Sequence, residues 1–210
     1  MKILRVICSP RGSSSESYRL SQTIINHLIT RHRGSDFIIA ERGVGGLAHV
    51  DADYAAAVSK RRDPSSAVVA SGALLQSERL IRELESADYL VIATPMHNMT
   101  LPSALKAWLD HVIQADRTFR ITPQGKIALL RDRPVFVAIS SGGTFSTDNP
   151  SQPDFLTPYL RAALATIGLL NVTFFSVEGT AQKPDVLNAT RERTERETAL
   201  YFSKRLPATV

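Results

Sequence analysis

Short apolar runs alternate along the chain with longer stretches whose apolar positions recur every three or four residues. The short runs predict strands at Lys2–Cys8, Asp36–Ala40, Tyr89–Thr94, Val135–Ser140 and Val172–Val177. The longer stretches predict helices near Ser17–Arg31, Ser71–Ser86, Pro102–Ala115, Asp154–Ile167 and Pro184–Leu206. The strand segments are apolar on both faces, as strands are when helices cover both sides of a parallel sheet. Five successive βα units predict an α/β fold: a doubly wound five-stranded parallel sheet, most simply in the order 2-1-3-4-5. Ligands of such sheets bind outside the carboxyl ends of the strands, where the strand order reverses. The loops after strands 1, 3 and 4 therefore become the candidate site.

Two insertions interrupt the alternation. Arg42 to Ala70, with Gly43, Gly45, Gly46, an alanine-rich patch and Pro64, reads as an excursion carrying one short helix. Arg117 to Leu130, with Thr118-Phe119-Arg120-Ile121-Thr122 before Pro123-Gln124-Gly125-Lys126, reads as a hairpin or ordered loop.

A length of 210 residues with 43% hydrophobic positions supports one continuous core, so residues 1–210 are read as a single domain. The net charge is +5, but the basic residues are dispersed. Arg61-Arg62 and Arg131/Arg133 are short pairs, and Arg191–Glu195, Glu192–Arg196 and Arg193–Glu197 fall at i,i+4, the pattern of a solvated helix face. No basic stripe interleaved with aromatics suggests nucleic-acid binding, and no apolar run reaches the ~20 residues of a membrane span. The lone Cys8 and the absence of a signal-peptide layout favour a cytoplasmic setting. At the end of an apolar strand, Cys8 reads as buried and inert rather than catalytic.

The first strand breaks abruptly into Ser9-Pro10-Arg11-Gly12-Ser13-Ser14-Ser15-Glu16-Ser17. A strand end followed by a helix start gathers free N–H groups and hydroxyls in one small volume, which suits a phosphate ester. Neither G-x-G-x-x-G nor G-x-x-x-x-G-K-[ST] is present, which points to a mononucleotide held by its single phosphate. From this stretch alone, an ordinary serine helix cap accounts for the same residues equally well. After strand 3, Pro95-Met96-His97-Asn98-Met99-Thr100-Leu101-Pro102 is bracketed by prolines. Stiff backbone with Met and Asn suits a flat heteroaromatic ring, although a plain strand-to-helix connection also fits. After strand 4, Ser140-Ser141-Gly142-Gly143-Thr144 lets backbone approach a ligand closely. The histidines His27, His32, His49, His97 and His111 show no metal-ligand spacing, and no G-x-S-x-G elbow is present. With no visible nucleophile or metal, the reactive atom belongs to a bound cofactor, and flavin mononucleotide (FMN) fits the loops better than a hydrolase does. His97 is the one candidate for acid–base work.

Taken together these residues resemble the FMN-dependent NADH:azoreductases, also described as NADH:quinone reductases, of flavodoxin-like fold. The resemblance runs through Ser9-Pro10-Arg11 with Ser15 and Ser17, Pro95 to Met99, Leu105 to Asp110, and Thr118-Phe119-Arg120. It continues through Ser140 to Gly143, Leu156 to Leu160, Ile167-Gly168 and Glu178-Gly179. It implies that Ser9, Ser15, Glu16 and Ser17 meet the FMN phosphate and ribityl tail. Met96, His97, Asn98 and Met99 would line one edge of the ring, and Ser140, Ser141, Gly142 and Gly143 another. It further implies a homodimer with both sites at the interface, NADH or NADPH as donor, and quinone or azo acceptors reduced by a ping-pong mechanism. A general NAD(P)H-dependent FMN reductase and a non-catalytic FMN-binding redox module are the alternatives. Phe119 and Ala163 are expected in the substrate pocket. A partly exposed apolar surface around Trp108 and the Phe119 loop is the expected basis of assembly, with core burial of Trp108 as the opposing reading. The chain departs from the family where His97 and Met99 replace aromatics, where Ser141 stands for an arginine, and where Ala163 and Thr166 stand for aromatics.

Overall fold

The structure is a computed structural model and describes residues 1–60 and 72–204. The Arg61-Arg62 pair, Pro64, the expected helix start at Ser71 and the expected helix end at Leu206 lie outside the described residues. In chain order the strands are β1 (Lys2–Ile7), β2 (Ile38–Gly43), β3 (Tyr89–Pro95), β4 (Phe119–Thr122), β5 (Gly125–Ala128), β6 (Val135–Ser140) and β7 (Val172–Val177). The helices are α1 (Glu16–Arg31), α2 (Ala52–Lys60), α3 (Gly72–Glu85), α4 (Ser103–Val112), α5 (Thr157–Thr166) and α6 (Pro184–Lys204). Five strands pair in parallel in the order β2-β1-β3-β6-β7. This is the expected 2-1-3-4-5 order, and the reversal falls between β1 and β3. The short helix of the first insertion is α2, and the second insertion is the antiparallel β4–β5 hairpin.

The central strands show why the pattern was readable. Every residue of β6 is buried, as are all of β3 before Pro95. One face of the sheet packs Ile3, Val91 and Phe136 against Leu20, Ile24, Ile25 and Leu28 of α1 and Phe202 of α6. The other packs Leu4, Ile92 and Val137 against Leu80 and Leu84 of α3, Leu105, Trp108 and Leu109 of α4, and Leu160 and Leu164 of α5. Trp108 is completely buried within one chain, so it does not contribute to an assembly surface.

β2 departs from the expectation of two apolar faces. It is the edge strand, mostly exposed, and runs on through Glu41 and Arg42 instead of stopping at Ala40. An edge strand has solvent on one side, so it carries charges that a central strand excludes. Glu41 meets the buried Arg5 at 3.2 Å, and Arg42 pairs with Glu83 of α3. The start of α5 is also later than expected. Asp154 accepts the N–H groups of Leu156 and Thr157, both at 2.9 Å, so it caps the helix from outside. Among the described residues no helix is long and apolar enough to cross a membrane, and no group of three His, Cys, Asp or Glu is placed to hold a metal ion.

Candidate functional site

A cleft of about 370 Å³ opens at the carboxyl ends of β1, β3 and β6, beside the reversal of strand order. That volume lies in the ordinary range for small-molecule sites, about 300–1,000 Å³. Its first wall is the connection from β1 to α1. Ser9 to Gly12 form a turn in which the Gly12 N–H donates to the Ser9 carbonyl at 3.0 Å and the Arg11 N–H to the Ser9 hydroxyl at 3.2 Å. Gly12 has φ +54°, a left-handed conformation that favours glycine. Ser15 then caps α1: its Oγ accepts the Tyr18 N–H at 3.2 Å and donates to the Gly12 carbonyl at 2.8 Å. The single proton of Ser15 is thereby committed to the turn. Ser17 sits fully buried behind it, Oγ to Oγ 3.3 Å. What this wall presents to a ligand is the Ser9 hydroxyl together with the N–H groups of the first turn of α1, where no intrahelical carbonyl can reach. Ser15 therefore forms the cap, and an anion would have to be met by other atoms, the Ser9 hydroxyl and the free N–H groups.

Glu16 lines the same wall, but its carboxylate is taken by two arginines. Arg19 Nε lies at 3.1 Å, and Arg191 of α6 grips both carboxylate oxygens, with its Nε at 3.0 Å. The Arg191 hydrogen bonds and, secondarily, those of Arg19 outweigh burial and hold the Glu16 carboxyl below the usual carboxylate range. The expected Arg191–Glu195 pair is not formed, because Arg191 turns to Glu16 while Glu195 takes Arg19 at 2.5 Å. The other two i,i+4 pairs of α6 stand on its exposed face, both at 3.8 Å.

The second wall is the loop after β3. The Met96 N–H donates to the Ser140 carbonyl at 2.8 Å, which ties this loop to the end of β6. His97 and Thr100 exchange backbone hydrogen bonds at 2.9 and 3.0 Å across a tight turn in which Asn98 (φ 48°) and Met99 (φ 67°) are both left-handed. Asn tolerates that region, whereas Met there stores strain of about 1–3 kcal/mol. The turn, more than the flanking prolines, fixes the loop. It brings Met96 and His97 to the cleft and leaves Asn98 and Met99 exposed outside its lining.

The third wall is the loop after β6. Ser140 and Gly142 line the cleft, while Ser141 is buried and accepts the Gln152 side-chain N–H at 2.7 Å. Gln152 Nε2 also lies 3.1 Å from Met96 Sδ. A Cβ on Gly143 would fall 2.7 Å from Ser151 Oγ and 3.3 Å from Gln152 Cδ, so a larger residue here would force those side chains to shift where the 144–152 segment folds back. Beneath the loop, buried Glu178 accepts the N–H groups of Phe145 (2.7 Å) and Ser146 (3.2 Å) and the hydroxyl of Ser176 (2.8 Å). A fourth donor, the Ser146 hydroxyl, joins that of Ser176 on Oε1, while the two N–H groups share Oε2. Thr180 follows from β7, its N–H on the Ser141 carbonyl at 2.9 Å, and also lines the cleft.

Neither expected substrate-pocket residue reaches this cleft within one chain. Phe119 is buried in the core, with Lys126 Nζ 5.2 Å from its ring centre. Ala163 and Thr166 line a separate depression of about 340 Å³ with Ile113, Lys126 and Tyr159. Beside it lies an apolar groove of about 680 Å³ that includes Leu101, Phe155 and Tyr159. Cys8 is fully enclosed, and burial pushes its thiol far up, against a smaller opposing hydrogen bond from Thr94, so it is no nucleophile.

The residues missed in the sequence are Thr180, Gln152, Glu178 and Arg191. Glu178 shows in the sequence only as part of the resembling motif Glu178-Gly179, and Arg191 falls in a run of alternating charge that reads as a solvated helix face. Both act through contacts more than 30 residues away, Phe145 from Glu178 at 33 and Glu16 from Arg191 at 175, and no local pattern records these.

A family described by its flavodoxin-like fold matches residues 1–200. Among curated proteins, an FMN-dependent NADH:quinone oxidoreductase 5 of Burkholderia lata is 42% identical over 189 residues, covering 90% of each chain. An FMN-dependent NADH:quinone oxidoreductase 4 of Pseudomonas fluorescens is 41% identical over 188 residues, covering 90% of this chain and 89% of its own. Among solved structures, the azoreductase AzrA superposes with a TM-score of 0.82 at 21% identity, over 98% of this chain and 100% of its own. An FMN-dependent NADH-azoreductase of Bacillus anthracis, solved in complex with FMN, gives 0.77 at 22%, over 96% of this chain and 100% of its own.

Proposed function

The chain belongs to the flavodoxin-like fold family, together with relatives named FMN-dependent NADH:quinone oxidoreductases, and from that premise we propose that it is an FMN-dependent NAD(P)H oxidoreductase acting on quinones and azo compounds. The observation that carries this reading is the cleft itself, at the reversal of strand order. It has free helix N–H groups and a serine hydroxyl at one end and Met96 with close backbone at Ser140 and Gly142 at the other. A phosphate suits the first end, and a flat ring packed on a thioether with its edge read by backbone suits the second. When bound, the flavin would supply the redox chemistry, taking a hydride from reduced nicotinamide and passing two electrons to the acceptor in ping-pong alternation.

The protein's own contribution is positional and electrostatic. The β1–α1 connection would fix the anionic tail, with Ser9 and the Glu16 and Ser17 N–H groups as donors. Met96 would pack on the ring, and the backbone around Gly142 and Gly143 would supply N–H groups where negative charge builds on reduction. Water can protonate the products, so no side chain is required as an acid. His97, exposed at the mouth, is the one histidine on the cleft wall. The exposed Phe155 and Tyr159 beside the Ala163 depression form the apolar face on which a second copy would dock, completing the acceptor pocket in a homodimer.

Visible absorption of the purified protein, followed by anaerobic titration with NADH and NADPH, tests the reading. Flavin absorption that bleaches with reduced nicotinamide and returns with quinone supports it. Turnover only with added free FMN indicates a flavin reductase, and bleaching without acceptor turnover indicates a redox module. A protein that binds no flavin overturns the proposal.

A further inference from the structure

Arg191 is the feature of the cleft that neither the sequence pattern nor the likeness to known proteins assigns. It comes from α6, far along the chain, and meets the β1–α1 wall at Glu16. Its guanidinium carries five N–H donors. Nε and Nη2 address the two oxygens of Glu16, and Nη1 donates to Asn188 Oδ1 at 3.1 Å. One N–H on each terminal nitrogen is left over. Leu187, one turn earlier on α6, lines the same cleft, so this helix face is turned toward the ligand volume.

Charge makes the arrangement consequential. A carboxylate at the first position of α1 is favourable to the helix dipole, yet it lies on the wall that offers N–H groups to an anion. Left alone, Glu16 would repel a phosphate there. Arg191 cancels that charge, lines the cleft, and keeps two N–H groups that neither Glu16 nor Asn188 takes. Arg19 also pairs with Glu16 but is drawn away by Glu195 at 2.5 Å and is not part of the cleft lining.

We propose that Arg191 is a specificity-determining residue of the cleft: clamped by Glu16, it makes the β1–α1 end accept a phosphorylated flavin in preference to the uncharged riboflavin. This rests on the FMN reading above. The planar fork matters, because one side of the guanidinium must hold the carboxylate while the other faces the phosphate, which a lysine point charge cannot reproduce.

Flavin-free full-length protein is titrated with FMN and, separately, with riboflavin, following quenching of flavin fluorescence. Arg191→Gln is expected to weaken FMN at least tenfold while riboflavin changes less than twofold. Arg191→Lys is expected to recover only part of that loss. Glu16→Gln combined with Arg191→Gln removes the uncompensated carboxylate and is expected to restore only part of the FMN affinity, the rest being the guanidinium's own contact; full recovery of wild-type FMN affinity overturns the proposal. Equal weakening of FMN and riboflavin in Arg191→Gln assigns Arg191 to holding α6 in place and overturns the proposal, as does an unchanged FMN-to-riboflavin ratio. Wild-type protein that binds neither flavin overturns the functional reading itself, a result distinct from both.

Discussion

Replacing Glu178 separates the anchoring of the third cleft wall from the ligand's own contacts. Its side chain is 2% exposed and accepts four donors, two backbone N–H groups from Phe145 and Ser146 and two hydroxyls from Ser146 and Ser176. In Glu178→Ala the hydroxyls can rotate toward other acceptors, but the N–H groups cannot. Two partly exposed N–H groups then lose a charged acceptor, at about 1.5–3 kcal/mol each, so a loss of about 3–5 kcal/mol is expected. In Glu178→Gln the amide oxygen can accept both N–H groups while the hydroxyls turn to accept from the amide nitrogen. Only the charge assistance goes, a loss of about 1–2 kcal/mol. The two variants also differ from wild type in acid. Burial pushes the Glu178 carboxyl up, but the bonds from Ser146, Phe145 and Ser176 outweigh it and hold the group below its ordinary range. Between the folded and unfolded values the unfolded chain carries the extra proton, so stability rises with pH in that window. The contribution is complete above the unfolded carboxylate value of about 4.3 and is lost as pH falls toward the folded one. Urea unfolding of the flavin-free protein at a series of pH values should show the wild-type advantage over Glu178→Gln shrinking below about pH 4. An advantage that stays constant or grows in acid refutes the argument, and so does a Gln variant as unstable as the Ala variant.

Ser15→Ala should lower stability by about 1 kcal/mol through loss of the α1 cap, a Tm decrease of roughly 2–4 °C in differential scanning calorimetry. Ser9→Ala removes the acceptor of the Arg11 N–H and should lower stability by about 0.5–1.5 kcal/mol, and it should weaken FMN binding about tenfold or more in fluorescence titration, since a hydrogen bond to a charged group is worth about 1.5–3 kcal/mol. Phe155→Asp should shift the protein from dimer to monomer in sedimentation; an unchanged sedimentation coefficient places the docking face elsewhere. Ala163→Phe should leave FMN affinity untouched while changing the quinone KM. Unaltered acceptor kinetics would remove Ala163 from the substrate pocket.

The sheet was legible because its central strands are buried on both sides and admit almost only apolar residues, as in Leu90-Val91-Ile92-Ala93 and Val135 to Ile139. The bounds of the edge strand β2 are not legible, because its charged end at Glu41 and Arg42 looks like a loop when its neighbours are unknown. Trp108 shows the limit of amphipathic pattern: the apolar face of α4 is evident, but whether it meets the sheet or another chain is a matter of packing. The cleft loops were found because strand ends followed by Ser, Gly or Pro are local signals. Which atoms face the cleft was not legible. Ser15 spends its proton on Gly12, Ser17 is buried behind it, and Asn98 and Met99 are carried outward by a turn whose left-handed residues include a methionine where glycine is usual.

The distribution of charge around the cleft would give the proposed flavin a direction. Among the described residues, the arginine and carboxylate groups lining it are Arg11, Glu16 and Arg191, all at the β1–α1 end with one net positive charge, whereas Met96, Ser140 and Gly142 at the other end carry none. An anionic tail is therefore drawn to one end only, and a flat uncharged ring is left to the other. Ser141 preserves this asymmetry. The position is buried, and the hydroxyl is bonded to Gln152, whose amide also touches Met96. An arginine at 141, as the resemblance leads one to expect, would have to displace Gln152 and would place a competing cation at the ring end. The smaller residue instead lets the 144–152 segment close over Gly143, so that the end proposed for the ring is shaped by an amide and a thioether, while the guanidinium proposed to favour the phosphate arrives from α6.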